Sequence, residues 1–195
     1  MLGLVAAAAI VAAVTAPLRH EAADEARREA ARQATTEAAE IRRLRADAVP
    51  HRGTGPPRRA GEDVLARRRA LVDRAEALIT RDAQSRTRAG TLSGSVAGTD
   101  CQPYPGITVR HQAEADPSVT VGRYECIAFQ RQVELPELEG KRRRGVLGYP
   151  FWAVIDYKRG AIVWCKVTPR AGEGGRSLAS VPVPPPCRDP QRRSP

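Results

Sequence analysis

Four side chains stand out for the chemistry they could do: Cys101, Cys126, Cys165 and Cys187. All lie in the second half of the chain, spaced 25, 39 and 22 residues apart. No CxxC pair is present, so a zinc knuckle or a thioredoxin-type redox pair is poorly supported. An even number of cysteines after an apolar N-terminal stretch favours disulfides, which persist in oxidising compartments. Of the three possible pairings, the sequence favours the sequential one. Cys101 with Cys126 would join neighbouring strands, and Cys165 with Cys187 would fasten a proline-rich tail to a hairpin. The alternative is four buried free thiols in a cytosolic protein.

The remaining reactive groups are sparse. The three histidines, His20, His51 and His111, fall in separate segments, and His51 reads as solvated. His111 lies beside Glu114 and Asp116, but a metal site needs more converging ligands than this local cluster guarantees. Glu125 and Asp156 are a conceivable carboxylate pair across strands, although Asp156 beside a turn is more simply a turn residue. There is no GxGxxG before a helix, P-loop, HExxH or GxSxG. No catalytic, metal-binding or cofactor-binding residue is assigned, and no cofactor is expected.

Charge offers the other candidate contacts. Lys141-Arg142-Arg143-Arg144 is the densest charge run, preceded by Glu134, Glu137 and Glu139. It is read as part of a long connecting loop, 135–148. Together with Lys158 and Arg159, it could meet an anionic surface such as lipid headgroups. The bland reading is a solvated loop screened by its own acids. The net charge is +10, but it is evenly spread. Residues 18–90 carry 17 basic and 12 acidic groups, and residues 91–195 carry 15 and 10. A nucleic-acid binder usually concentrates its charge on one face, so no specific nucleic-acid partner is expected. Cytosolic nucleic-acid binding stays as an alternative, as does a ligand carrier or enzyme with a cleft between helix and sheet.

The elements that position these groups centre on Tyr149–Thr168, YPFWAVIDYKRGAIVWCKVT. Residues 151–157 and 161–167 are rich in β-branched and aromatic types, and Gly160 can take the positive φ that a short hairpin loop needs. Alternation puts Phe151, Ala153 and Ile155 on one face and Trp152, Val154 and Asp156 on the other. Both faces carry large apolar groups, so a helix should cover one and the tail half-cover the other. That helix is Glu62–Arg88. Its apolar spacing is Val64, Leu65, Leu71, Val72, Ala75, Leu78 and Ile79, with arginines 67, 68, 69, 74 and 81 on the other side. A strand is expected over 119–134 and another within 91–105. Residues 181–187, VPVPPPC, should run extended along the sheet edge.

Met1–Leu18 carries no charged side chain. Eighteen helical residues give about 27 Å, just short of a ~30 Å hydrocarbon core. The stretch reads as an uncleaved single-pass anchor, or as a signal cleaved near Ala16. Arg19, His20, Arg27 and Arg28 after it would place the rest in the cytoplasm by the positive-inside rule. The cysteines argue for the opposite side, and they are given more weight. Residues 19–48 form an Ala/Arg/Glu-rich helix, a stalk or a self-association helix. Residues 49–61, VPHRGTGPPRRAG, read as a linker. Residues 188–195 read as a disordered tail.

The order of a helix at 62–88, Cys101, GRYEC at 122–126 and YPFWAVIDYKRGAIVWCKV resembles uncharacterised exported or membrane-anchored proteins from actinobacteria. It also resembles small domains of unknown function in which a helix precedes a disulfide-bearing antiparallel sheet. The likeness covers roughly residues 64–187 and brings no catalytic residue with it. The expected fold is α+β: helix 62–88 on a three- or four-stranded antiparallel sheet over residues 62–187, after a membrane span and a helical stalk. The expected function is an extracytoplasmic binding module, anchored through residues 1–18, whose partner is an envelope protein or an anionic envelope component.

Overall fold

Alternating apolar residues in the C-terminal half build a five-stranded antiparallel sheet with one long helix against it. The computed structural model describes residues 2–104, 116–138, 141–167 and 181–188, without the side chains of 2–21, 135–138 and 141–144. In chain order the elements are α1 (Leu2–Asp47), β1 (His51–Thr54), α2 (Val64–Arg88), β2 (Gly98–Pro103), β3 (Val121–Leu138), β4 (Lys141–Asp156), β5 (Ala161–Lys166) and a helical turn, α3 (Pro185–Arg188). Two compact units divide the chain, residues 1–43 and 44–195.

In the first unit, α1 is continuous, and its side chains from Ala22 to Ala39 are all exposed. This is the polar, alanine-rich helix expected from 19–48. The expected membrane span gains no support, because no described helix is long and apolar enough to cross a membrane. Seven of the first 18 residues are alanine, which contributes little transfer free energy per residue.

The second unit is the α+β domain. Its sheet runs β1-β5-β4-β3-β2, one strand more than the largest sheet expected. The extra strand is β1, inside the presumed linker. It pairs with β5 from His51↔Trp164 to Thr54↔Ala161. Its glycines had suggested a break, yet they serve close approach. A Cβ at Gly53 would lie 2.7 Å from Leu78 Cδ1, and one at Gly55 would overlap Leu71 Cδ2. Bare backbone is what lets the strand pass beneath α2.

The expected hairpin forms, in the register Phe151↔Lys166 to Asp156↔Ala161. Asp156 Oδ1 accepts from the N–H groups of Lys158 and Arg159, and Gly160 has φ +68°. One face holds Phe151, Ala153, Ile155, Ile162 and Trp164, packed on Leu71, Val72, Ala75, Ile79 and Ala83 of α2. Asp63 caps α2 by accepting from Ala66 N–H at 2.8 Å, and Gly90 follows its end with φ +72°. Leu92, Val96 and Cys101 join this core. Two expected positions differ. Val64 in the first turn is 44% exposed, whereas Arg68, assigned to the solvent side, is only 3% exposed.

The opposite face of the hairpin is covered by the tail. Val163 and Cys165 pack with Cys187, flanked by Trp152 and Val183. Residues 181–188 therefore lie over the face of the sheet, and Pro185–Arg188 is helical where an extended edge segment was expected. The stretch 135–148, read as a loop, is largely strand. β3 and β4 pair from Val121↔Asp156 as far as Leu138↔Lys141, with register shifts after Phe129 and Leu135. Among the described residues, β2 accompanies β3 only up to Phe129, and β5 accompanies β4 only from Phe151. Residues 131–138 and 141–147 are thus a two-stranded arm that outruns the sheet. Gly148 sits at its root, where a Cβ would lie 2.5 Å from Ala128 O.

Candidate functional site

The cysteines pair as the sequence favours: Cys101 with Cys126 and Cys165 with Cys187, with none left free. Cys101 and Cys126 are direct cross-strand partners, Cα atoms 4.0 Å apart, on the face toward α2. Cys165 on β5 holds Cys187 of α3 on the other face. All four are fully buried.

The two basic candidates do not form one surface. Lys141–Arg144 open β4 in the arm, with Glu134↔Arg144 and Leu135↔Arg143 in register, and their side chains lie outside the described residues. Lys158 and Arg159 follow the other end of β4 and are exposed, with Arg159 3.5 Å from Asp156. Fifteen strand steps separate Lys141 from Asp156, about 50 Å at ~3.4 Å each.

The carboxylate pair does not assemble. Glu125 stands opposite Trp152, and Asp156 opposite Val121, so the two acids are four strand steps apart, about 13 Å. That is beyond the separation of a hydrolytic pair. Of the local cluster near His111, that residue and Glu114 lie outside the described residues. Asp116 accepts from Ser118 N–H at 2.9 Å and Oγ–H at 2.6 Å. The Ser118 hydroxyl, then its backbone N–H, hold the Asp116 carboxyl below the ordinary aspartate range. Among the described residues no three His, Cys, Asp or Glu side chains are placed to hold a metal ion.

Two polar clusters were not foreseen, and both serve the fold. At one end of the core, Trp164 Nε1 donates to Asp82 Oδ2 at 3.0 Å and Arg86 Nε donates to Asp82 Oδ1 at 2.9 Å. Arg86 also reaches Asp47 and His51 Nε2, at 3.4 and 3.2 Å. A guanidinium can only donate, so Nε2 accepts. His51, read as solvated, is stacked on Trp164 with centroids 5.6 Å apart. At the other end, the Arg68 guanidinium lies 4.6 Å from the Tyr157 ring centroid and donates to the carbonyls of Asp116 and Val119. It ties the segment before β3 to α2.

A cleft of about 210 Å³ lies on the tail side of the sheet, and Tyr104, Arg123, Trp152 and Arg188 are among its lining residues. The Tyr104 and Trp152 rings are 4.8 Å apart and tilted by 40°. Tyr104 lies just beyond β2, its N–H donating to Arg123 O. Alternation along 151–156 gave Trp152 its face in the sequence, but Tyr104 and Arg188 reach the same place only through the disulfide and the sheet order. No family model, curated protein or solved structure matches this chain.

Proposed function

We propose that the α+β domain is an extracytoplasmic binding module of the cell envelope. The observation that carries this reading is the pair of buried disulfides, one on each face of the sheet. Such bonds persist where thiols are not continually reduced. In this reading residues 1–18 direct export, retained in the membrane or cleaved near Ala16, and residues 19–43 space the domain from that point or associate with one another. The arm formed by residues 131–138 and 141–147 carries the Lys141–Arg144 run beyond the end of the sheet, where an anionic envelope component can meet it.

The test is thiol trapping in intact cells of the native host, followed by mass mapping. The expected result is both disulfides closed at lysis and protein accessible to added protease outside the cytoplasmic membrane. Four trappable thiols and a protease-shielded domain would overturn the reading. They would return attention to nucleic acid, whose binding should fall steeply with salt.

A further inference from the structure

The cleft beneath the tail combines two features that serve different parts of one ligand. Tyr104 and Trp152 offer an aromatic platform, and Tyr104 is 44% exposed despite its contact with Trp152. Arg123 from β3 and Arg188 from α3 flank it, both exposed. Among the described residues neither arginine pairs with a carboxylate. Glu125, opposite Trp152 on the same strand face as Arg123, does not close on it either.

Size and shape narrow the ligand. At about 210 Å³ the cleft is smaller than the ~300–1,000 Å³ of pockets for drug-sized ligands and cofactors, so it takes about one ring. The two aromatic rings touch each other, so a planar base cannot slide between them, and the ligand must lie across their tilted faces. A puckered sugar ring can place its C–H face there. The two guanidiniums suit a carboxylate or phosphate on that ring, since an arginine fork matches either anion.

We propose that this cleft binds an acidic saccharide unit: a pyranose ring carrying a carboxylate or phosphate. The choice of a saccharide rests on the extracytoplasmic reading above, whereas the cleft and its anion preference do not. The disulfide Cys165–Cys187 shapes the site, because Cys187 and Arg188 line it.

The test uses the full-length oxidised protein and isothermal titration with four probes: tetragalacturonate, glucose 6-phosphate, the neutral cellotetraose and adenosine monophosphate. The first two separate carboxylate from phosphate as the anion. Saturable binding of at least one acidic sugar is expected, about tenfold tighter than cellotetraose, the scale of a charge-assisted contact. Arg123→Ala and Tyr104→Ala should each weaken it by about tenfold. Glu125→Gln should strengthen it a few-fold. Arg142→Ala/Arg143→Ala in the arm should leave it unchanged. Tyr104, Arg123 and Glu125 are exposed at the surface, and circular dichroism checks that the variants fold. Three results would overturn the proposal: no saturation by either acidic sugar at about 10 mM, equal binding of the neutral sugar, or tighter binding of the nucleotide. Binding that survives Arg123→Ala but is lost with the arm variant would overturn it as well. Failure here with both disulfides closed in cells would leave the compartment reading intact.

Discussion

On the face of the sheet turned to α2, Phe151, Ala153, Ile155, Ile162 and Trp164 meet five buried helix residues across the length of the hairpin. On the other face, among the described residues, Val163 and Cys165 pack with Cys187 and the partly buried Trp152 and Val183, and Val154 is buried as well. Each face carries one disulfide, closing loops of 25 and 22 residues. The chain-entropy term depends on the logarithm of loop length, so it is roughly 3.5 kcal/mol for both. The difference lies in what each bond holds. Cys101–Cys126 joins strands that hydrogen bonds and packing already hold together. Cys165–Cys187 is the covalent fastening of a short segment, residues 181–188, that pairs with no strand among the described residues and otherwise buries only Val181 and Pro186. The first face is sealed and stabilises the fold. The second is clamped at one point, and beside the clamp it leaves a cleft.

The largest contrast should come from core truncation. Phe151→Ala empties a fully buried site on the helix face and should cost about 3–5 kcal/mol, against about 2 kcal/mol for Val163→Ala, the loss of two methyl groups under the tail. Urea midpoints read the difference, and a larger loss at Val163 would reverse the assignment of faces. Next come the disulfides. Cys101→Ser/Cys126→Ser should lower global stability by about 3 kcal/mol. Cys165→Ser/Cys187→Ser should lower it less, because the tail can detach while the helix face stays packed, and it should open residues 181–188 to protease. Equal global losses with no tail cleavage would make the two clamps equivalent.

Arg68→Met sharpens the comparison at the rim of the sealed face. It keeps most of the stem but leaves the Asp116 and Val119 carbonyls without their donor, at a cost of about 2 kcal/mol. The smallest effect expected is on pH dependence. The Ala66 backbone N–H, then that of Leu65, hold the Asp63 carboxyl below its ordinary value. A depressed folded-state value stabilises above the unfolded one, and the contribution is lost as pH falls through the folded value. The gap in melting temperature between wild type and Asp63→Ala should therefore shrink as pH is lowered through and below the ordinary carboxylate range. A gap independent of pH would mean that the ionised cap contributes nothing.

Much of the sealed face was legible in the sequence. Period-two alternation separated the sides of 151–156, and helical spacing found Leu71, Val72, Ala75 and Ile79. The sequential disulfides followed from expecting Cys101 and Cys126 on neighbouring strands. The failures share a physical cause, which is that local composition gave the wrong signal. In HRGTG, glycine usually marks a linker, yet Gly53 and Gly55 are required where a strand runs under Leu78 and Leu71. In 135–148, charge suggested a loop, although a two-stranded arm with open edges has little apolar face to show. Arg68 was placed with the solvent-facing arginines because helical phase alone cannot reveal a carbonyl pair from residues 116 and 119. Of the candidate cleft, nothing in the sequence brought Tyr104 and Arg188 together; that took the sheet order and the tail's path across the face.

The two tryptophans sit on opposite faces, Trp164 buried against α2 and Trp152 partly buried under the tail, so each reports on one side. The most direct test is acrylamide quenching in Trp152→Phe and Trp164→Phe backgrounds, with Cys165–Cys187 intact and with both cysteines replaced by serine. Opening the bond should raise quenching of Trp152 several-fold and leave Trp164 unchanged. A parallel rise at both, or at neither, would contradict the division of the sheet into a packed face and a clamped one.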